Sequence, residues 1–168
     1  IWAKEGTDPE VTNGHIDDCA TFIAPGVVAC IWTDDPDYPF YRQCHEIYET
    51  LSNATDAKGR KLKVYKLPMP EKPCFMSEEE ANSIDLVNPR TAQDEPQIAS
   101  YMNYLVTNHG CIVPQYGDKN DALAVETLQK IYDETWGAGV YRCIGVDSRQ
   151  VVYGGGNIHC ITQQEPSA

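Results

Sequence analysis

A cysteine near the end of the sequence follows three consecutive glycines, in the stretch YGGGNIHC at residues 153–160. Three glycines in a row give up side-chain packing and backbone entropy, which is typical of a chain that bends tightly or lies against another group. A cysteine presented from such a bend can act as a nucleophile when its thiolate forms. We therefore predict that Cys160 is a nucleophile. A glycine turn beside a buried structural cysteine is the alternative that this motif leaves open.

A second motif, NGHID at residues 13–17, contains a histidine and an aspartate two residues apart. On an extended strand such side chains lie on the same face, so His15 and Asp17 are expected to address one ligand together. Thiol, imidazole and carboxylate are the groups that nucleophilic catalysis with proton transfer uses. Singly, each has an ordinary structural role, as a hydrogen-bonded histidine, a turn cap or a small core residue. Their combination with the glycines indicates catalysis.

Together, NGHID at 13–17 and GGGNIHCITQQ at 154–164 resemble the agmatine deiminase family, which is grouped with the Porphyromonas-type peptidylarginine deiminases in the guanidine-modifying, or pentein, superfamily. The resemblance extends over essentially the whole chain, and the longer motif is the specific one. It implies hydrolysis of agmatine to N-carbamoylputrescine and ammonia, a reaction of putrescine biosynthesis, through a covalent amidino-cysteine. Peptidylarginine or arginine deimination remains the alternative, because the choice of agmatine rests on the resemblance alone.

The electronic structure of a guanidinium assigns roles to the candidate residues. Its carbon is a poor electrophile because the charge is delocalised over three nitrogens, so the site needs a strong nucleophile and carboxylates that hold the cation. Cys160 would attack as a thiolate. His15 would protonate the departing ammonia and then take a proton from water, and Asp17 would bind guanidinium nitrogens. We also assign Gly155 and Gly156 to substrate binding, and this reaction needs no metal or organic cofactor.

Other sites are less consistent with these motifs. A metal site of His15, Asp17, Cys160 and a fourth ligand is formally possible, but the local spacing has neither a zinc-finger nor a zincin form. The glycines do not match a dinucleotide fingerprint, because His159 stands where the third glycine should be. A Cys-His-Asp protease or amidase would need an oxyanion hole that nothing in the sequence identifies. On a segment expected to be extended, His159 should point away from the site that Cys160 faces.

Composition places the chain among acidic globular domains. Its 168 residues are 42% hydrophobic, which is enough for one domain with a core, and its formal charge of −12 argues against a nucleic-acid partner. The seven cysteines contain no Cys-x-x-Cys pair, so most are expected to be reduced core residues. The apolar runs are too short to span a membrane, and we expect a soluble, cytoplasmic protein without a membrane partner.

Two stretches share one predicted order, strand–strand–helix–strand, and indicate an α/β fold built of ββαβ repeats. The first unit covers residues 12–67, with strands at 19–23, 27–33 and 62–67 and a helix at 39–51. The second covers 99–146, with strands at 99–107, 111–115 and 140–146 and a helix at 121–132 whose Leu123, Leu128 and Ile131 face inward. A connecting loop at 68–97 contains a capping box that starts at Ser77. The cysteine segment spans 153–166.

The superfamily has a pseudo-fivefold α/β propeller of ββαβ modules with the active site at its axis. This chain would supply about two and a half of the five modules, as the C-terminal part of a single catalytic domain. The resemblance places a second aspartate and a glutamate of the site in the preceding half, which would be a separate chain or a lost segment. We expect a small cationic guanidinium substrate and a possible homo-oligomer. An inactive half-enzyme that acts only with a partner chain is the alternative, and Arg90 would meet a substrate carboxylate if arginine were the substrate.

Overall fold

The computed structural model describes residues 1–7, 12–83 and 96–165 of the chain. In these ranges the chain forms two three-stranded sheets and the helices that connect their strands. The elements are β1 (Ala20–Ala24), β2 (Val27–Trp32), α1 (Tyr41–Asn53), β3 (Lys63–Pro68), α2 (Glu78–Ser83), β4 (Leu105–Thr107), β5 (Gly110–Gln115), α3 (Asp121–Trp136), β6 (Arg142–Asp147) and α4 (Arg149–Val152). A short 3-10 turn, Ile16–Asp18, precedes β1.

Both sheets have the same topology. The first two strands form an antiparallel hairpin, and the third returns after a helix to lie parallel to the second, in the orders β1-β2-β3 and β4-β5-β6. The hairpin between β1 and β2 turns at Pro25-Gly26, where Gly26 has a φ of +81° that a glycine adopts without strain. The central strands are rich in valine, isoleucine and cysteine, as expected for strands covered on both faces.

The expected strand at 99–107 is wrong over most of its length, because β4 spans only Leu105–Thr107. Residues 99–104 are fully buried but irregular. Ser100 stabilises this irregular path, since its Oγ donates to the Asp18 carbonyl oxygen at 2.7 Å and accepts the Met102 N–H at 3.1 Å. The segment is rich in aromatic and apolar residues because all of it is buried, and a sequence pattern does not distinguish such a segment from a buried strand.

Helix α3 joins the two units into one core. Leu128 and Ile131 are buried as expected, whereas Leu123 is 49% exposed and lies on the outer face, so its predicted inward position is wrong. At the end of the helix, the Trp136 indole N–H donates to the Ile23 carbonyl oxygen of β1 at 3.2 Å. A single cluster of buried residues includes members of both units. The core therefore fixes the start of the chain relative to its end.

The connection between the units contains the predicted capping box. Ser77 Oγ accepts the Glu80 N–H at 3.2 Å, and Glu80 Oε2 accepts the Ser77 N–H at 2.8 Å, so α2 begins where the pattern placed it. The Tyr153 hydroxyl donates to Glu80, which ties α2 to the start of the glycine segment. Arg90 lies in 84–95, outside the described residues. Within the described residues, none of the helices combines the length and the apolar composition that a membrane span requires.

Candidate active site

The glycine segment forms a compact turn after α4, and two of its glycines are required for different reasons. Gly155 has a φ of +89°, in the left-handed region where a side chain is strained. Gly156 lies against the cysteine that it precedes, because a Cβ built on it would be 2.6 Å from Cys160 Sγ. Gly154 has neither constraint, since its nearest neighbour would be the Val151 carbonyl oxygen at 3.4 Å. The turn therefore sets the position of the sulfur.

Gly156→Ala should displace the Cys160 sulfur and slow any reaction in which this thiol is the nucleophile by about 10²-fold, the loss expected for a misplacement near 1 Å. Gly154→Ala is the matched control, because a methyl group fits there without collision. Steady-state rates and thermal unfolding of both variants would be compared. Equal rates for the two variants would contradict the dependence of the sulfur position on Gly156.

A second turn positions Asp17. Asn13 and Gly14 have φ values of +54° and +66°, and a Cβ on Gly6 would lie 2.5 Å from the Gly14 carbonyl oxygen, so two backbones meet closely here. The chain then enters the 3-10 turn Ile16–Asp18. The predicted extended strand that places His15 and Asp17 on one face is therefore wrong. The positive φ values convert the segment into a turn, and His15 becomes its exposed N-terminal residue.

Cys160 and Asp17, 143 residues apart in sequence, meet in the structure. The Cys160 thiol donates to Asp17 Oδ2 over 3.1 Å; Cys160 as a whole residue is exposed, and Asp17 is half-buried. For the His15 ring, no hydrogen bond to either group is found within residues 1–7, 12–83 and 96–165. The structure thus brings together two of the three predicted catalytic residues. His15 lies two residues from Asp17, outside their hydrogen-bond network.

His159 also contacts Asp17, so the expectation that it points away from the site is wrong. Its Nδ1 lies 2.8 Å from Asp17 Oδ2. The reason is that the segment turns instead of extending, since the Ile161 N–H donates to the Asn157 carbonyl oxygen at 3.3 Å and the Thr162 N–H to that of His159 at 3.1 Å. In a turn, neighbouring side chains can reach the same partner. Both His159 and Cys160 therefore contact one carboxylate oxygen.

Asn103 is a residue of the site that the sequence analysis missed. It is fully buried, its Nδ2 lies 2.9 Å from Cys160 Sγ, and its Oδ1 accepts the Cys160 N–H at 3.2 Å. Its carbonyl oxygen accepts the His159 N–H at 3.2 Å. The signal in the sequence was a pair of small polar residues, Ser100 and Asn103, inside an otherwise aromatic and apolar stretch. Buried polar side chains in such a stretch need partners, and these two find them at the site.

The surroundings of Cys160 favour the neutral thiol in the substrate-free site. Burial raises the pKa of the Cys160 thiol; the Asn103 hydrogen bond acts in the opposite direction, and the facing Asp17 raises this pKa further. Burial also acts to raise the pKa of Asp17, but the hydrogen bonds from His159 and Cys160 hold that pKa below its usual value. The resting site is therefore a thiol beside a carboxylate.

His159→Phe should raise the pKa of Asp17, because it removes the hydrogen bond that lowers it. If catalysis needs ionised Asp17, activity is lost as the pH falls through the Asp17 pKa, so the acid limb of the rate–pH profile should move to higher pH. His159→Asn, whose amide can still donate, should move the limb less. An unchanged acid limb in the phenylalanine variant would contradict this role.

The residues that could form a metal site differ from those considered from the sequence. One donor atom each from Asp17, Asp18 and Cys160 lie within 4.8 Å of one another, whereas His15 is not a member of this group. Protein donors already contact these carboxylates: Asp17 Oδ2 lies close to His159 and Cys160, and Asp18 Oδ1 accepts from Asn103 Nδ2 at 2.8 Å. The donor set is consistent with a hydrogen-bonded thiol–carboxylate site.

Comparison with known proteins shows the family of the chain. The sequence model of the Porphyromonas-type peptidyl-arginine deiminase family matches residues 1–166. The chain belongs to this family. Curated relatives of this chain include proteins assigned as agmatine deiminases in Enterococcus faecalis, with 51% identity over 168 residues, and in Streptococcus mutans, with 48% over 169 residues. Each alignment covers 99% of this chain but 44% of the relative. The chain thus spans less than half the length of these relatives.

Solved deiminase structures share the fold. The agmatine deiminase of Enterococcus faecalis, described as catalysing its reaction, superimposes with a TM-score of 0.89 at 50% identity and covers 99% of this chain and 44% of its own. A cysteine-to-serine variant of the C. jejuni agmatine deiminase with substrate bound has a TM-score of 0.71 at 27% identity, over 95% of this chain and 39% of its own. The mixed α/β sheets described above are therefore those of this deiminase family.

Proposed function

We propose that this chain carries the nucleophile of an agmatine deiminase, which hydrolyses the guanidinium of agmatine to N-carbamoylputrescine and ammonia. The observation that supports this most directly is the 3.1 Å separation of Cys160 Sγ and Asp17 Oδ2. A thiolate this close to a carboxylate is repelled by it, so the nucleophile forms most readily when a cation lies beside both. A guanidinium supplies that charge and the N–H groups that a carboxylate binds.

In the proposed first half-reaction, Cys160 releases its thiol proton to solvent as the cation binds, and the thiolate attacks the guanidinium carbon to form a C–S bond. One C–N bond then breaks, and the nitrogen leaves as ammonia with a proton from His15. Asp17 holds the remaining guanidinium nitrogens, and His159 keeps that carboxylate ionised and oriented. The product of this step is a positively charged amidino group bound to the sulfur.

In the second half-reaction, water attacks the same carbon while His15 accepts one of its protons. The C–S bond breaks and returns the electron pair to Cys160, which takes up the second proton of the water and becomes a thiol again. The released urea group is that of N-carbamoylputrescine. The exposed position of His15, at the start of the turn that bears Asp17, leaves its ring able to reach a bound substrate. Gly156 lies next to the sulfur, Gly155 precedes it in the turn, and both would let the backbone approach the ligand.

We further propose that the two units are modules of a pentein-type propeller whose remaining part completes the site. Several large apolar side chains support this, because they are exposed among the described residues: Trp2 is 93% exposed, Phe22 55% and Ile144 43%. Strand β6 also lies at an edge of its sheet. Uncovered apolar surface and a sheet edge are expected where further modules pack. An inactive half is the alternative if no such part is present.

Ammonia release from agmatine, arginine and an arginine-containing peptide, measured in parallel, tests the substrate assignment. We expect agmatine to be turned over with the highest kcat/KM, with N-carbamoylputrescine as the product. Preference for the peptide or for arginine would replace agmatine while keeping the thiol chemistry. Mass spectrometry of the active sample would show whether a second polypeptide or a longer chain supplies the rest of the site. Activity of residues 1–168 alone would contradict the need for such a part.

A further inference from the structure

The Asn103 side chain is oriented by its neighbours in one way only. Its Oδ1 faces the Cys160 N–H, a donor, while its Nδ2 faces Asp18 Oδ1 at 2.8 Å, Cys160 Sγ at 2.9 Å and Asp17 Oδ2 at 3.2 Å. With the amide rotated by 180°, Nδ2 would meet an N–H and Oδ1 would meet two carboxylates. The network therefore fixes the amide with its donor towards the sulfur.

The two hydrogens on Asn103 Nδ2 are directed at different acceptors. Asp18 is fully buried and lies at the shortest distance, so one hydrogen is directed at its carboxylate. The other hydrogen is left for Cys160 Sγ and Asp17 Oδ2, which lie 3.1 Å from each other. While Cys160 is a thiol, its S–H also donates to Asp17. Once the sulfur is ionised that contact becomes repulsive, and among the described side chains that contact the sulfur, Asn103 is the one that still donates to it.

We infer that Asn103 is a catalytic residue that stabilises the Cys160 thiolate through Nδ2, and that Asp18 is a positioning residue that aims this amide. The inference rests on the proposed function, in which Cys160 is the nucleophile. A hydrogen bond to an ionised acceptor is stronger than the same bond to a neutral one, so the amide favours the thiolate over the thiol. The Asn103 carbonyl oxygen accepts the His159 N–H and Asn103 Oδ1 accepts the Cys160 N–H, and these two hydrogen bonds keep the donor and the sulfur in register during the reaction.

The test measures the thiol without using substrate. The alkylation rate of Cys160 by iodoacetamide is followed across pH, with the labelled peptide quantified by mass spectrometry. Asn103→Ala should move the midpoint of the profile upward by about one pH unit, which is about tenfold slower alkylation at neutral pH. Asn103→Asp keeps the shape of the side chain but turns a negative group towards the sulfur, so its midpoint should rise at least as far. This variant carries the test if the alanine variant does not fold.

Gln129→Ala is the matched control. Gln129 is also a side-chain amide that links two elements, donating from Nε2 to the Tyr141 carbonyl oxygen at 2.9 Å and accepting the Cys143 N–H at 2.8 Å, and it is outside the site. It should lower Tm without moving the alkylation midpoint. Asp18→Asn and Asp18→Ala test the positioning role of Asp18. The asparagine variant keeps an acceptor for Asn103 Nδ2, so its alkylation midpoint should lie closer to that of the unsubstituted protein than the midpoint of Asp18→Ala.

The outcomes separate this inference from the proposed function. A raised midpoint in the Asn103 variants, with an unchanged one in Gln129→Ala, supports the thiolate donor. If folded Asn103→Ala and Asn103→Asp alkylate with the wild-type midpoint and differ only in Tm, the inference is overturned, whatever the turnover of agmatine. If the unsubstituted protein fails to hydrolyse agmatine even when the rest of the deiminase is present, while the midpoint still shifts, the proposed function fails and the thiolate donor stands.

Discussion

Cys160→Ser should reduce agmatine hydrolysis by on the order of 10⁴-fold or more, because removal of a nucleophile eliminates the covalent route. A serine hydroxyl is hardly ionised at neutral pH and is a far weaker nucleophile than a thiolate. The fold should persist, since the Cys160 side chain is exposed and adds little to the core. Ammonia release under saturating agmatine, with circular dichroism as the check on folding, measures this effect.

Cys74→Ser is the matched control for that experiment. Cys74 is half-buried, and burial raises the pKa of its thiol to about 11, so it is not a thiolate at neutral pH. Its replacement should leave the rate of hydrolysis within a factor of about two of the rate of the unsubstituted protein, as expected for a substitution outside the active site. If hydrolysis survives in Cys160→Ser and disappears in Cys74→Ser, Cys74 is the nucleophile, and the assignment of the active site to Cys160 is contradicted.

Asp17→Asn should have two effects of opposite sign. Turnover should fall by about 10²- to 10³-fold, because loss of one partner of a desolvated charge pair costs several kcal/mol. Alkylation of Cys160 in the substrate-free protein should become faster, since Asp17 raises the pKa of that thiol. Each unit by which the pKa falls gives about tenfold more thiolate at a pH below it.

Asp56→Asn is the control for the charge change. Asp56 is ionised and pairs with Arg60 in a surface turn, outside the site. Its replacement should change neither turnover nor the alkylation of Cys160. If Asp17→Asn slowed both reactions, the substitution would be acting on the fold of the site, and the assignment of Asp17 to the guanidinium would lose its support.

The sheets could be predicted because their residues carry a local signal. The β-branched residues of β2, the turn at Pro25-Gly26 and the capping box at Ser77 each specify a structure from their own chemistry. The pairing of Cys160 with a carboxylate 143 residues away was expected from the resemblance and from the repeat. Hydrophobic pattern alone would not have brought these two groups together.

The positions of His159, Asn103 and His15 could not be predicted, because they depend on backbone turns and on contacts between residues far apart in sequence. His159 contacts Asp17 because residues 157–162 form a turn, and the hydrophobic periodicity of the sequence does not predict that turn. Asn103 lies in a buried irregular segment whose aromatic residues resemble those of a strand. The exposed position of His15 follows from the positive φ values at Asn13 and Gly14. Polar residues inside an apolar stretch were the available signal, and their partners are defined only by the folded chain.

The covalent intermediate tests the central assignment most directly. Turnover of agmatine is stopped with acid, and the digested protein is analysed by mass spectrometry. We predict an adduct with the mass of agmatine less ammonia on the peptide that contains Cys160, absent from Cys160→Ser. An adduct on any other cysteine, or product formation without an adduct under conditions that trap one, would contradict nucleophilic attack by Cys160.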